Sequence, residues 1–250
     1  MRLGILQCGS APAELRAEFG DYPDMSRALL RAVDPSVQFR GYDLTAGDFP
    51  ESLDECDGWL FTGSRWGVYD AEPWIARAAD LARALDAGRH PTVGICFGHQ
   101  LVAAALGGRV EKSSRGWGVG VRKVRLLAPR PPWAEPPADE IALVVSHQDQ
   151  VVEPPPGARV LAEHPFCPYE MLQIGEHVLT IQAHPDFSRA YARRLMEHRR
   201  ALIGEETYER GLRTLDTPTD SAVVGRWIVN FLRRACGAGA GRGQGSQAGV

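Results

Sequence analysis

The stretch Gly94-Ile95-Cys96-Phe97-Gly98-His99-Gln100 constrains the fold of this chain more than any other. The run Pro91-Thr92-Val93-Gly94-Ile95 that leads into it has the composition of a buried strand. The run Gln100-Leu101-Val102-Ala103-Ala104-Ala105-Leu106 that leads out has that of a helix. A strand that becomes a helix within a few residues, with glycine on either side of a cysteine, is the cysteine form of a nucleophile elbow. A Cβ at either glycine would run into the neighbouring strand or helix. The turn lifts Cys96 above the sheet and sets it beside the first amides of the helix. Cys96 is therefore expected to be exposed, in a field that favours the thiolate.

An elbow of this kind needs an α/β scaffold, and the first half of the chain has the matching alternation. Residues 2–7, 37–42, 58–62 and 91–95 read as strands. A helical pattern ends at Met25–Val33, and Pro73 to Leu85 is an amphipathic helix with proline in its first turn. The expected fold class is α/β, with a mostly parallel central sheet and helices on both faces. From about residue 109 the pattern changes to short β-like runs near 117–126, 141–145, 158–162, 169–174 and 177–182, which are expected to extend the sheet with antiparallel strands. The Pro-rich stretch 131–137 reads as an exposed loop. Helical patterns return at 188–203, 205–213 and 219–235. Trp227, Ile228, Phe231 and Leu232 lie at core spacing, and Arg189, Arg193, Arg194, Arg199 and Arg200 read as a solvated basic face. No repeat or linker divides the chain, so one domain over 1–236 is expected, followed by a flexible Gly/Ala-rich tail over 237–250.

Composition narrows the function. An apolar fraction of 44% over 250 residues supports a sizeable core. With 28 basic against 31 acidic residues there is no field for nucleic acid or an anionic membrane surface. No apolar run approaches the roughly 20 residues of a membrane span, and Met1 to Cys8 reads as a first strand rather than a signal peptide. The five cysteines are odd in number and scattered, a pattern of reduced thiols that points to the cytoplasm.

A cysteine nucleophile needs a base, and the base needs an orienting group. Ala183-His184-Pro185-Asp186 follows the strand-like Val178–Gln182. A histidine and an acid two residues apart on an extended segment project to the same side. Asp186 has a second possible role, as N-cap of a helix starting at Phe187-Ser188-Arg189. His99 reads as structural. His147 and Asp149 lack a third ligand of suitable spacing, so neither a metal nor another cofactor is implied.

These residues resemble the class I (triad) glutamine amidotransferase family. Phe61-Thr62-Gly63-Ser64 resembles its oxyanion loop, Gly116-Trp117-Gly118 the segment that lines its glutamine pocket, and Ser146-His147-Gln148-Asp149 the SH-x-D loop of the GMP-synthetase type. The likeness covers roughly residues 1–200 and is nearest to stand-alone members, including gamma-glutamyl peptidases. It implies a flavodoxin-like sheet and a Cys96–His184–Asp186 triad. It also implies an oxyanion hole from the N–H groups of Gly63 and Phe97, and substrate contacts from Gln100, Ser64, Gly116 and Trp117. The implied chemistry is attack on glutamine or a γ-glutamyl amide through a γ-glutamyl thioester. The family usually carries Glu at the position of Asp186, and Asp reaches roughly 1–1.5 Å less far. A direct bond to His184 then requires a backbone shift, a bridging water or another acid. Three functions follow: a stand-alone γ-glutamyl hydrolase, a glutaminase delivering ammonia to a separate synthetase subunit, and a catalytically silent binding module. No Gly-x-x-x-x-Gly-Lys-[Ser/Thr] loop accompanies the domain to consume ammonia.

Overall fold

The structure is a computed structural model and describes residues 1–240. The first half alternates as expected: β1 (Arg2–Gln7), α1 (Ala13–Phe19), α2 (Tyr22–Val33), β2 (Gln38–Asp43), β3 (Gly58–Phe61), α3 (Pro73–Ala87), β4 (Thr92–Ile95) and α4 (Phe97–Ala105). Then follow β5 (Arg109–Lys112), β6 (Gly118–Leu126), β7 (Glu140–His147), β8 (Asp149–Glu153), β9 (Arg159–His164), β10 (Cys167–Ile174) and β11 (Val178–Ile181). The chain finishes with α5 (Arg189–His198), α6 (Arg200–Ile203), α7 (Glu205–Leu212) and α8 (Ser221–Ala240). A nine-stranded sheet runs in the order β2-β1-β3-β4-β11-β10-β9-β6-β7. Pairing is parallel from β2 through β11 and antiparallel from β11 through β7. The strands between residues 109 and 174 that join this sheet do so antiparallel, as expected, but the run at 177–182 does not. It is β11, which returns to the middle of the sheet and pairs parallel with β4, a placement that a short buried apolar run does not disclose.

The central strands are buried on both faces, so they read as continuous apolar runs rather than as alternation. On one face Leu3, Ile5, Leu60, Val93, Ile95, Leu179 and Ile181 pack against Leu30 of α2 and Val224, Trp227, Ile228, Phe231 and Leu232 of α8. On the other, Leu6, Trp59 and Phe61 pack against Ile75, Ala78 and Leu85 of α3 and Phe97, Leu101 and Val102 of α4. Each large side chain buried in this way contributes about 1.5–3 kcal/mol. Among the described residues no helix is long and apolar enough to cross a membrane.

Other expectations are corrected or extended. The stretch 131–137 is a loop with Pro132, Glu135, Pro136 and Pro137 exposed, as expected, but Pro131, Trp133 and Ala134 are buried. Trp133 is buried edge-on against Phe231, and α8 ties the loop down through Trp227 Nε1–H to the Pro136 carbonyl at 2.9 Å and Asn230 Nδ2 to the Trp133 and Glu135 carbonyls. The short strands β5 and β8, unforeseen in the sequence, form a separate two-stranded ribbon. Finally, α8 continues to Ala240, so helix takes the first residues of the segment expected to be a tail; the rest of that segment lies outside the described residues.

What positions the elbow is a close approach of backbones. A Cβ on Gly94 would stand 2.5 Å from the Gly98 carbonyl oxygen, and one on Gly98 would stand 2.5 Å from the Phe61 carbonyl oxygen. α4 therefore crosses β3 and β4 at a distance only glycine allows. Gly98→Ala should lower the unfolding free energy by about 1–3 kcal/mol, read as a lower urea midpoint at unchanged m-value. Gly237→Ala, where a Cβ meets nothing within 4 Å, serves as the control that should not lose stability.

Candidate active site

Cys96 connects β4 to α4 with φ 52° and ψ −99°, a conformation that L-residues rarely adopt. Such a residue costs about 1–3 kcal/mol and persists only where its surroundings over-determine it. Here they do. The Cys96 N–H donates to the Ile181 carbonyl at 2.8 Å, and its own carbonyl accepts from Gln100 N at 3.1 Å. The sequence expectation that Cys96 is exposed is corrected: it is 5% exposed and reaches solvent only through the wall of a cavity.

β11 runs parallel to β4, with Ile181 beside Ile95, so the segment after β11 emerges at the same sheet edge as the elbow. That segment carries His184, whose N–H donates to the Val144 carbonyl at 2.8 Å and anchors it to β7. His184 and Cys96 both flank Gly63: a Cβ placed there would lie 2.9 Å from His184 Cε1, 3.6 Å from Nε2 and 3.8 Å from Cys96 Cβ. On its other side the imidazole stacks on Phe187, with ring centroids 3.6 Å apart and planes 9° from parallel.

His184 Nδ1–H donates directly to Asp186 Oδ1 at 3.1 Å. Neither a bridging water nor another acid is needed to span the shorter side chain. Ser26 of α2 supplies a further contact, donating from Oγ to Asp186 Oδ2 at 3.1 Å. Ser26 and the Asp186 carboxylate are buried. The capping role weighed for Asp186 falls instead to Ser188, whose Oγ accepts from Tyr191 N at 3.0 Å. Burial alone would lower the proton affinity of His184. The negative charge and hydrogen bonding of Cys96 and Asp186 outweigh it and push His184 up to about 9.

Phe97 is the first residue of α4, so its N–H has no acceptor inside the helix. Gly63 follows β3 in a loop held by Thr62, whose Oγ1 accepts from Cys8 N at 3.0 Å and donates to the Gly63 carbonyl at 3.2 Å. A cavity of about 1100 Å³ opens in front of these groups, and Cys96, Gln100, Ser64, Trp117, Asp149 and Arg199 are among its lining residues. Phe97, His184 and Asp186 are buried beside Cys96 and Gly63.

The other anticipated residues divide. Gln100 lines the cavity, but its amide nitrogen is committed to the Asp149 carbonyl at 2.8 Å and Gln182 Oε1 at 3.0 Å, so it braces the wall with only its oxygen left to offer. Ser64 is at the cavity, with Oγ accepting from Trp66 N at 3.2 Å. Trp117 is part of the wall, whereas Gly116 is not brought to the cavity and serves the turn before β6 with φ +77°. His99 is structural: fully buried, 2.8 Å from Thr180 Oγ1, and driven down to about 3 by burial.

His147 ends β7 and Asp149 begins β8. His147 Nδ1 lies 3.0 Å from the Asp149 carbonyl, and the Asp149 carboxylate accepts from Tyr69 OH at 2.8 Å. The structure also brings His147 a company that spacing concealed. Cys167 and Glu170 of β10 offer ligand-type atoms that lie, with those of His147, within 4.8 Å of one another. Burial drives His147 down to about 3 and Glu170 up to about 7. Arg122 stands 3.9 Å from Glu170, so the protein already places a cation beside this pocket, an unfavourable neighbour for a metal ion. Burial raises the thiols of Cys8, Cys56, Cys167 and Cys236, in keeping with their reading as inert.

Two side chains that the structure brings to this region escaped the sequence reading. Ser26 has no motif around it. Arg199, expected on a solvated face, is half-buried at the cavity and stacks over Trp117.

Comparison with known proteins places the chain in a family. Residues 29–199 match the family described as glutamine amidotransferase class-I. Gamma-glutamyl peptidase 3 of Arabidopsis thaliana is 28% identical over 198 residues, covering 75% of this chain and 79% of the relative. Gamma-glutamyl peptidase 4 of the same plant is 30% identical over 177 residues, covering 68% and 70%. The crystal structure of a glutamine amidotransferase from Thermotoga maritima shares the fold, with a TM-score of 0.72 at 19% identity over 94% of this chain and 98% of that one.

A raised His184 has a definite consequence. Its folded-state value, about 9, lies above the 6.5 of a free histidine. The stability it contributes is therefore complete below about pH 6.5 and is lost as pH rises through about 9. NMR titration of the His184 ring should show a midpoint near 9 that falls on Asp186→Asn; a wild-type midpoint at or below 6.5 would contradict the arrangement.

Proposed function

The chain belongs to the class-I glutamine amidotransferase family, and on that premise we propose that it hydrolyses glutamine or a γ-glutamyl amide through a thioester on Cys96. The observation that carries the reading is the meeting of the strained elbow cysteine with the buried His184–Asp186–Ser26 relay at one end of an open cavity. The family and its peptidase relatives support amide hydrolysis in general; the roles of individual residues are the proposal.

The reaction runs in two halves. Cys96 Sγ attacks the δ-carbonyl carbon of the γ-glutamyl group while His184 Nε2 holds the proton from the thiol. Negative charge collects on the carbonyl oxygen, where the N–H groups of Phe97 and Gly63 stabilise it. His184 then protonates the leaving nitrogen, the C–N bond breaks, and ammonia or an amine departs. Water attacks the thioester with its proton passing to His184, the C–S bond breaks, and glutamate leaves as Cys96 regains its proton. Asp186 keeps the ring in the tautomer that presents Nε2 to the sulfur, and Ser26 fixes the second carboxylate oxygen.

A γ-glutamyl amide with an organic leaving group is favoured over glutamine itself, because the cavity of about 1100 Å³ lies above the roughly 300–1,000 Å³ that holds a drug-sized ligand. Purified protein should release amine from γ-glutamyl dipeptides. A glutamine-like diazoketone should add to Cys96, located by peptide mass spectrometry, and Cys96→Ala should remove both results. Turnover surviving Cys96→Ala, or a wild type with neither turnover nor label, refutes the proposal. Asp186→Asn should lower kcat by about 10⁴-fold through the wrong tautomer. Ser26→Ala should lower it by about 10–100-fold, the value of one hydrogen bond to a charged group, with KM little changed.

A further inference from the structure

The cavity holds a guanidinium without a counter-charge. Arg199 sits at the junction of α5 and α6, where its N–H donates to the Leu195 carbonyl at 3.0 Å, and its side chain is half-buried. Nη1 donates to Ser146 Oγ at 3.1 Å, and Cζ lies 5.7 Å from the centroid of the Trp117 ring. Around it on the same helices, Arg194 pairs with Glu18, His198 with Glu14 and Arg200 with Glu205. Among the described residues no carboxylate pairs with Arg199. The other cations at the cavity are provided for or exposed: Arg16 is 3.8 Å from Asp21, Lys112 acts on Asp149, and Arg65 lies in solvent over Trp66.

A half-buried, oriented and unpaired guanidinium is costly unless an anion completes it, and its planar fork suits a carboxylate. Its place in the cavity says which carboxylate. The γ-glutamyl group must lie against Cys96, on the part of the lining that β4 and α4 supply. Arg199 reaches the cavity from other elements, the junction of α5 and α6, together with His198 and Leu202. Tyr191 of α5 packs on Phe187, the ring stacked on His184, so the helix that ends at Arg199 lies against the reacting centre. Resting on the γ-glutamyl reading above, we propose that Arg199 binds a carboxylate of the leaving group. The substrates are then γ-glutamyl conjugates of amino acids or short peptides with a free carboxylate, rather than simple amides or glutamine.

Steady-state kinetics on three substrates test this. γ-Glutamylglycine carries the leaving-group carboxylate, γ-glutamylmethylamide lacks it, and glutamine offers no organic leaving group. Wild type should favour γ-glutamylglycine. Arg199→Met should raise its KM for γ-glutamylglycine by about 10–100-fold and leave both other substrates within about threefold of wild type. Arg199→Lys, which keeps the charge but loses the fork, should fall between. Equal loss on all three substrates places the carboxylate on the γ-glutamyl group and overturns the assignment, as does the absence of loss on any. Unaltered turnover of γ-glutamylmethylamide by Arg199→Met certifies that the variant is folded; a variant that fails to fold leaves Arg199→Lys to decide the same comparison. A wild type that turns over none of the three refutes the γ-glutamyl reading itself, and this assignment with it.

Discussion

The contact on which the site depends is between backbones: α4 lies so close over β3 and β4 that Gly98 faces the Phe61 carbonyl and Gly94 faces the Gly98 carbonyl with no room for a methyl group. Once the helix is held there, the chain has one residue in which to leave β4 and enter α4, and Cys96 takes a positive φ to do it. The strain is thus a consequence of packing, and the packing maintains it. A thiol on a relaxed loop would swing among rotamers. On this elbow it is held at a helix N-terminus beside the amide of Phe97, where negative charge is stabilised without rearrangement.

Parallel pairing of β11 with β4 does the equivalent for His184. Because Ile181 lies beside Ile95, the residues that follow each strand, Cys96 directly after β4 and His184 a little beyond β11, emerge at one edge. The bond from His184 N to the Val144 carbonyl and the Phe187 ring then fix the imidazole from two sides. Burial opposes a charged ring here, yet the ring is pushed up to about 9, because its partners bear the opposite charge and water is scarce between them. The low-dielectric surroundings that would neutralise an isolated histidine are those that strengthen its pairing with Asp186.

Features built from near neighbours in the chain are legible in the sequence. The elbow, the His184-x-Asp186 spacing and the strand–helix alternation are all local patterns, and the structure has the geometry they imply. Features made by distant segments are not. Ser26 meets Asp186 across 160 residues, and Cys167 and Glu170 approach His147 from another strand. Arg199 looked solvated because the residues around it on the helix are, while the break between α5 and α6 turns it inward. The Pro-rich stretch read as exposed because its prolines prevent strand and helix, which says nothing of whether α8 will cover Trp133. Gly116 is expected at the pocket because the segment Gly116-Trp117-Gly118 as a whole resembles a pocket lining; its backbone has a positive φ in a turn, and of the three residues Trp117 reaches the wall.

The shorter acid and Ser26 are best understood together. An aspartate bonded to His184 by one oxygen leaves the other buried and in need of a donor, since an unsatisfied buried carboxylate oxygen costs more than a typical hydrogen bond returns. Ser26 is that donor, and it is carried by a helix whose opposite commitments are to the core. Leu30, one turn on, packs beneath the central strands, and Leu29 and Val33 lie against Gly225 of α8, where a Cβ would stand 3.0 Å from Leu29 and 3.2 Å from Val33. The orientation of the carboxylate is therefore tied to the seating of α2 on α8, and through α8 to the pinned Pro-rich loop. A displacement of α2 by a fraction of an ångström would be felt at Asp186 Oδ2 before it altered the sheet. In this way helices that supply no residue to the cavity lining govern the alignment of the His184 ring.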